Sequence, residues 1–202
     1  MFFFFIIQKV WNVGEECENY SDSRTLILKK LDNYYRKVKR QILSFQSLTT
    51  GLFPTHLDPT KKVAHVVENV FCAIAVWSLR QCYNKIDNDQ GRSHELGQAA
   101  VKCMRGILHC WMKQAKKVDD FRKTRSNSFF SSNDEIKFRP KYSKANNHIT
   151  MHSKFNVFDG SEVEGADEFG QLQICAISIY LLTLAQMITS NLEVIYPRKS
   201  NL

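Results

Sequence analysis

The chain has 202 residues and a mass of 23.5 kDa, with 44% apolar and 24% charged residues. That length and balance are typical of one soluble globular domain with a sizeable core. Its net charge of +8 is uneven: eight Lys/Arg against Asp134 and Glu135 between Arg122 and Lys154 give +6, leaving +2 elsewhere, which argues against a basic face built for nucleic acid.

Residues 1–25 read as a variable leader. The Phe2–Ile7 run is far too short to cross a bilayer, which takes ~20 apolar residues. No basic segment precedes it and no Ala-x-Ala site follows, so it is not read as a signal peptide. Six cysteines stand at 17, 72, 82, 103, 110 and 175 without a Cys-x-x-Cys pair. Cys72, Cys103 and Cys110 fall among apolar residues. A reducing, cytoplasmic setting without a disulfide framework is expected.

The folded domain is expected over 26–196, with 197–202 as a tail. In a first helix, Leu28, Leu31, Tyr35, Val38, Ile42 and Phe45 form a narrow apolar stripe, and Gly51 and Pro54 are expected to stop it. Its other faces carry Lys29, Lys30, Arg36, Lys37, Lys39 and Arg40. A second helix, Val63 to about Tyr83, is apolar nearly all round, which marks a buried helix. A third, Glu95 to about Phe121, is amphipathic through Leu96, Ala100, Cys103, Ile107, Trp111, Ala115 and Val118. Residues 124–149 shift to Ser, Asn, Lys and Arg, the composition of a flexible basic loop. A fourth helix, Gln171 to about Thr189, is again nearly continuously apolar. Periodicity alone supports an all-α protein with helices in antiparallel pairs.

Short motifs add little chemistry. Asp87-Asn88-Asp89-Gln90-Gly91 places Arg92 and Gln98 where a calcium loop needs Gly and Glu, so it reads as a helix–helix turn. His148 and His152 lack the Glu of a zinc-protease helix. No Gly-x-Gly-x-x-Gly, His-Arg-Asp or Asp-Phe-Gly is present to hold nucleotide and metal for a kinase. Arg125-Ser126-Asn127-Ser128 makes Ser128 a candidate phosphosite. No metal or cofactor is implied.

Three blocks in register carry a resemblance. They are Leu31-Asp32-Asn33-Tyr34-Tyr35 through Thr50-Gly51-Leu52-Phe53-Pro54, His94–Phe121 around Lys102-Cys103-Met104-Arg105-Gly106-Ile107-Leu108, and Phe169–Tyr196 beginning Phe-Gly-Gln-Leu-Gln. Together they resemble the N-terminal part of regulatory subunits of phosphorylase b kinase. The beta type is the better match on Lys85–Leu108 and Phe155–Val163. The resemblance implies a glucoamylase-like domain, a partial (α/α)6 toroid with only the first four of its twelve helices, and, because the family's connection is shorter there, it makes 124–149 a flexible basic insertion. The second and fourth helices would then be inner ones, with apolar faces that a closed toroid buries.

It also implies where a saccharide site would lie. Sugar-clamping residues of such toroids sit at the N-terminal ends of inner helices, first in a Trp-x-Arg-Asp motif. Here the matching residues are His65-Val66-Val67-Glu68, and a later Gln-x-Asp becomes Gln173-Ile174-Cys175. The Trp, the Arg and the second acid are missing, which further favours the beta type. Glycoside hydrolysis needs two positioned carboxylates, so the chain is expected not to be an enzyme, and Glu68 with Gln173 remain as a candidate vestigial saccharide groove.

The function implied is that of a non-catalytic regulatory subunit in the control of glycogen breakdown. Its implied partners are the kinase catalytic subunit, the other regulatory subunits and calmodulin. Two alternatives stand beside it: a stand-alone saccharide-binding domain, and a module whose basic first helix, Leu26–Phe45, binds calmodulin or a membrane surface. An outer helix with its stripe packed and its charges solvated is the favoured reading of that segment. Family members often carry a prenylation signal and associate with the inner face of the plasma membrane. The ending Arg198-Lys199-Ser200-Asn201-Leu202 has no Cys-a-a-X, so no membrane anchor is expected here.

Overall fold

The computed structural model describes residues 20–56, 62–87, 89–129, 151–163 and 174–195. Five α-helices and one short ribbon make up its regular elements: α1 (Tyr20–Gln41), β1 (Val63–His65), α2 (Val66–Ile86), α3 (Gln90–Lys113), α4 (Ala115–Phe129), β2 (Lys154–Asn156) and α5 (Ile174–Thr189). Residues 1–19 of the expected leader, most of the expected insertion, and the tail lie outside the described residues, while Tyr20–Thr25, expected to be leader, already belong to α1.

The helix α2 is central, packing against α1, α3 and α5. Burial of Val66, Val70, Ala73, Val76, Leu79 and Tyr83 follows the three-and-four spacing of a helix face. Facing it, α3 buries Leu96, Ala100, Cys103, Met104 and Ile107. Between them lies the turn expected at Asp87–Gly91: Asp87 ends α2, and Asp89 caps α3 by accepting from Arg92 N–H at 3.0 Å. Ser190 to Val194 leave α5 through a Schellman turn, in which Asn191 has φ 61° and Leu192 N–H donates to Met187 O at 3.0 Å.

Four expectations need correcting. The first helix ends at Gln41 and passes into a 3-10 turn, Leu43–Phe45, so Gly51 and Pro54 do not stop it. The chain turns early because Leu52 and Phe53 are drawn back into the core, both nearly fully buried. Val63 does not begin the second helix. Val63-Ala64-His65 pairs antiparallel with Asn156-Phe155-Lys154, and the helix starts only at Val66. The expected third helix is two helices, broken at Gln114, whose N–H bonds Trp111 O while its O accepts from Lys117 N–H. Finally, 124–129 are not loop: α4 runs to Phe129. Neither Gly nor Pro interrupts these residues, and Ser, Thr and Asn alone do not break a helix. Of the expected fourth helix, Ile174–Thr189 is described, and Gln171 lies outside the described residues.

The apolar faces expected of inner helices are present unequally. On α5, Leu181 and Leu182 are 56% and 61% exposed, whereas on α2 the large exposed residue is Phe71 at 39%. So α2 has most of its neighbours, and α5 packs on one side only.

Candidate functional site

The N-terminus of α2 is built by two constraints. Its first N–H, on Val66, bonds Ser153 O at 3.0 Å, so β2's lead-in satisfies a helix-end donor. One turn in, Asn69 is 2% exposed and makes three bonds. Its Oδ1 accepts from Phe53 N–H at 2.7 Å, while its Nδ2 donates to Phe53 O at 3.0 Å and His65 O at 2.9 Å. An Asn at that position in an apolar helix is a signal that sequence reading passed over.

On this frame, Glu68 sits in the first turn of α2 with its side chain 51% exposed, and its Oε1 lies 3.6 Å from His65 Nδ1. An acid there also suits the positive end of the helix dipole. Burial holds the His65 pKa below its usual value, Glu68 pulls it upward, and Lys154 and His56 push it further down. Gln173, the other half of the candidate groove, lies outside the described residues. The second acid near the ribbon, Glu162, is committed elsewhere, paired with Lys117 and lying 3.8 Å from His152 Nε2. A half-exposed carboxylate beside a histidine can accept from hydroxyls. It is not the opposed acid–base pair that glycoside hydrolysis uses.

An open groove among the described residues lies elsewhere. It is about 460 Å3 and runs between residues 48–51 and α3, lined among others by Lys102, Arg105, His109 and Phe158. None of its lining residues is Glu68 or His65, and Arg105 there is anchored to Val194 O at 2.6 Å and Glu193 O at 3.0 Å. We therefore place the candidate polar site at Glu68 on its chemistry, not at this groove.

The basic helix is tied down. Leu31, Val38 and Ile42 of its stripe are buried. Its polar side is stitched to α3 by Lys39–Glu95 at 3.2 Å, by Arg92 with Asp32, and by the Arg92 guanidinium over the Tyr35 ring at 4.9 Å. Calmodulin capture would need those apolar residues out of the core. Ser128 lies in the last turn of α4 rather than in a loop; His148 is outside the described residues.

Thiol chemistry is muted. Burial raises the Cys72, Cys82 and Cys110 thiols to about 11, and Cys103, fully enclosed, is held well above the usual thiol value and donates to Asn69 O at 3.4 Å. Thiolate, the reactive form, is thus disfavoured. Among the described residues no helix is long and apolar enough to cross a membrane.

The family model of glycosyl hydrolases family 15 matches residues 29–200. Over 178 residues the chain is 44% identical to the "Probable phosphorylase b kinase regulatory subunit beta" of Drosophila melanogaster, covering 88% of this chain and 14% of that protein. It is 38% identical over 170 residues to the alpha subunit, skeletal muscle isoform, of Oryctolagus cuniculus, covering 83% and 12%. Against the liver isoform of the alpha subunit from Takifugu rubripes it is 38% identical over 169 residues, covering 82% and 12%. The chain thus spans less than a sixth of the length of these relatives.

Proposed function

Because this chain belongs to glycosyl hydrolases family 15, an all-α, glucoamylase-like fold of which its helices form part, we propose that it acts as a non-catalytic regulatory subunit of phosphorylase b kinase, beta type. The observation that carries this reading is the 44% identity over 88% of the chain to a beta subunit, against 38% to the alpha subunits. The residues support it: His65 stands where the family's hydrolases carry a sugar-clamping Trp, and Glu68 keeps the acid with His65, not a second acid, beside it among the described residues.

On this reading the chain works in the cytoplasm, in control of glycogen breakdown, and its partners are the kinase catalytic subunit and the other regulatory subunits. Calmodulin joins as a component of that complex rather than through α1, whose stripe is packed. Phosphorylation at Ser128 would place two negative charges in the last turn of a helix, where the dipole disfavours them. That would loosen the end of α4.

Affinity purification of the endogenous protein tests the assignment. Recovery of a kinase catalytic subunit in stoichiometric amount is the expected result, and its absence under conditions that recover an alpha subunit control would overturn it. A saccharide-binding role is the second reading, favoured by the exposed Glu68 carboxylate; glucan retention of the chain, lost in Glu68→Gln, would move the assignment there.

A further inference from the structure

Where α3 breaks into α4, Gln114 is 3% exposed. Its Oε1 accepts from His152 N–H at 2.7 Å, while its Nε2 has no protein partner. The indole Nε1 of Trp111 and the Nδ1 of His152 are likewise buried without a partner. Trp111 lies in the last turn of α3 and its carbonyl oxygen accepts from Gln114 N–H at 3.0 Å, and the bond from the His152 backbone N–H brings the hairpin to the same junction. Edge-on packing of Trp111 on Tyr180, at 4.9 Å, closes the junction from the side of α5.

Each unpaired buried polar group costs about 1–3 kcal/mol, and such groups are rare enough that three at one junction call for a shared partner. Two of the three are obligate donors. The third accepts when the neutral imidazole carries its proton on Nε2. One oxygen that accepts twice and donates once satisfies all of them, and buried waters typically make about three hydrogen bonds.

We propose that one buried water joins Trp111, Gln114 and His152, and that it makes the attachment of the 151–163 hairpin to the helix break sensitive to protons. With Nδ1 accepting, His152 presents Nε2–H toward Glu162. Protonating Nδ1 converts the acceptor into a donor and sets three donors on one oxygen, which has two lone pairs. The charged groups facing His152 are Glu162 from the hairpin, which favours protonation, and Lys117 from α4, which opposes it. Burial is the larger influence and holds the imidazole below its usual 6.5.

The sign follows from that depression. The unfolded chain takes up the proton first, so the joint's contribution is complete above about pH 6.5 and is lost as pH falls through that value toward the folded pKa. Since Ser153 O holds the first turn of α2, loosening this joint in acid would free the strand beside His65 and Glu68.

A nitrogen-15 NMR titration of the full chain, with His152 assigned against His152→Gln, tests this together with a crystal structure that shows ordered solvent. The expected results are the Nε2–H tautomer at pH 7.5, a midpoint below 6.5, and one solvent oxygen within about 3.2 Å of all three nitrogens. An Nδ1–H tautomer, or a direct protein partner on Trp111 Nε1 or Gln114 Nε2, overturns the proposal. Gln114→Glu offers a second readout that keeps the shape of the side chain. By placing an anionic oxygen at the junction it should raise the His152 midpoint, and an unchanged midpoint would count against the shared site.

Discussion

Gly106 of α3 lies against the backbone of Thr50, so closely that a Cβ at 106 would overlap the Thr50 carbonyl oxygen. Its counterpart is Gly51, where φ is +75° and an added Cβ would come within 2.6 Å of Lys102 O. Two of the sequence blocks that carry the family resemblance therefore meet backbone to backbone, with a glycine on each side. Neither can accept a side chain without parting the loop from the helix.

That contact predicts the effect of filling it. Gly106→Ala should destabilise the chain by about 1–3 kcal/mol, as overpacking of a tight interior contact does. Gly51→Ala should cost more, because a residue with a Cβ is also strained at positive φ. Urea unfolding followed by circular dichroism measures both. A change within about 0.5 kcal/mol of wild type, the range of ordinary surface substitutions, would mean that the loop does not seat on α3.

How far the sequence could be read depended on the range of the interaction. The stripe Leu31, Val38, Ile42 and the turn at Asp87–Gly91 are local signals, and both hold in the structure. The start of the second helix was misplaced because Val63 to His65 find their partners some ninety residues later at Lys154 to Asn156, a pairing no local pattern encodes. The break at Gln114 escaped for a similar reason. No Gly or Pro marks it, and Gln114 instead spends its Oε1 on the distant His152. At the candidate site, Glu68 was legible only through the resemblance, as the acid of the motif that the family carries at the start of an inner helix. Asn69, which holds that start in place, was passed over, since a lone polar residue in an apolar helix signals a buried bond but no periodicity names its partner, Phe53, sixteen residues away.

Asn69 is the subject of the second prediction. Asn69→Leu strands the Phe53 N–H and C=O, each a buried polar group worth about 1–3 kcal/mol when unpaired. Asn69→Asp keeps the acceptor for Phe53 N–H and loses the two donor bonds, and it adds a buried charge. Both should lower stability, and hydrogen exchange at the Phe53 amide should accelerate far more in Asn69→Leu than in Asn69→Asp. Equal protection of that amide in the two variants would show that Asn69 does not hold the loop.

A third prediction concerns pH. Burial sets the His65 pKa low, and Glu68 is the group that pulls it back up. Glu68→Gln should therefore lower the His65 midpoint further. Because the folded pKa is already below the unfolded one, stability is full above about pH 6.5 and falls as pH drops through it; the variant should lose more than wild type near pH 5 and match it near pH 7.5. Thermal unfolding across that range, with the His65 midpoint followed by NMR, gives the answer, and a His65 midpoint that rises in Glu68→Gln contradicts the pairing.

The fourth prediction is about catalysis. Wild-type chain should release no glucose from maltose or soluble starch above a buffer blank, because Glu68 stands beside His65 rather than opposite a second acid. Activity that disappears in Glu68→Gln would return the chain to the hydrolases of its family.

The last prediction follows from the uneven covering of α5. Its buried side, through Ala176, Tyr180, Thr183 and Met187, packs on the core, and Tyr180 OH donates to Met104 O at 3.2 Å. Its other side leaves Ile177, Leu181, Leu182 and Ile188 exposed. Contiguous apolar patches beyond a few hundred Å2 are unusual on monomers, whereas the interior between α1, α2 and α3 is closed over residues such as Val70, Tyr83, Leu96 and Ile107. The isolated chain should therefore unfold cooperatively yet self-associate and bind a hydrophobic dye. Leu181→Lys together with Leu182→Glu should abolish both behaviours while leaving the melting midpoint within about 2–4 °C, since neither side chain is part of the core. Light scattering after size exclusion, alongside dye titration, reads the result. A wild-type chain that stays monomeric and dye-free at high concentration would mean that α5 is covered by some other part of the same chain.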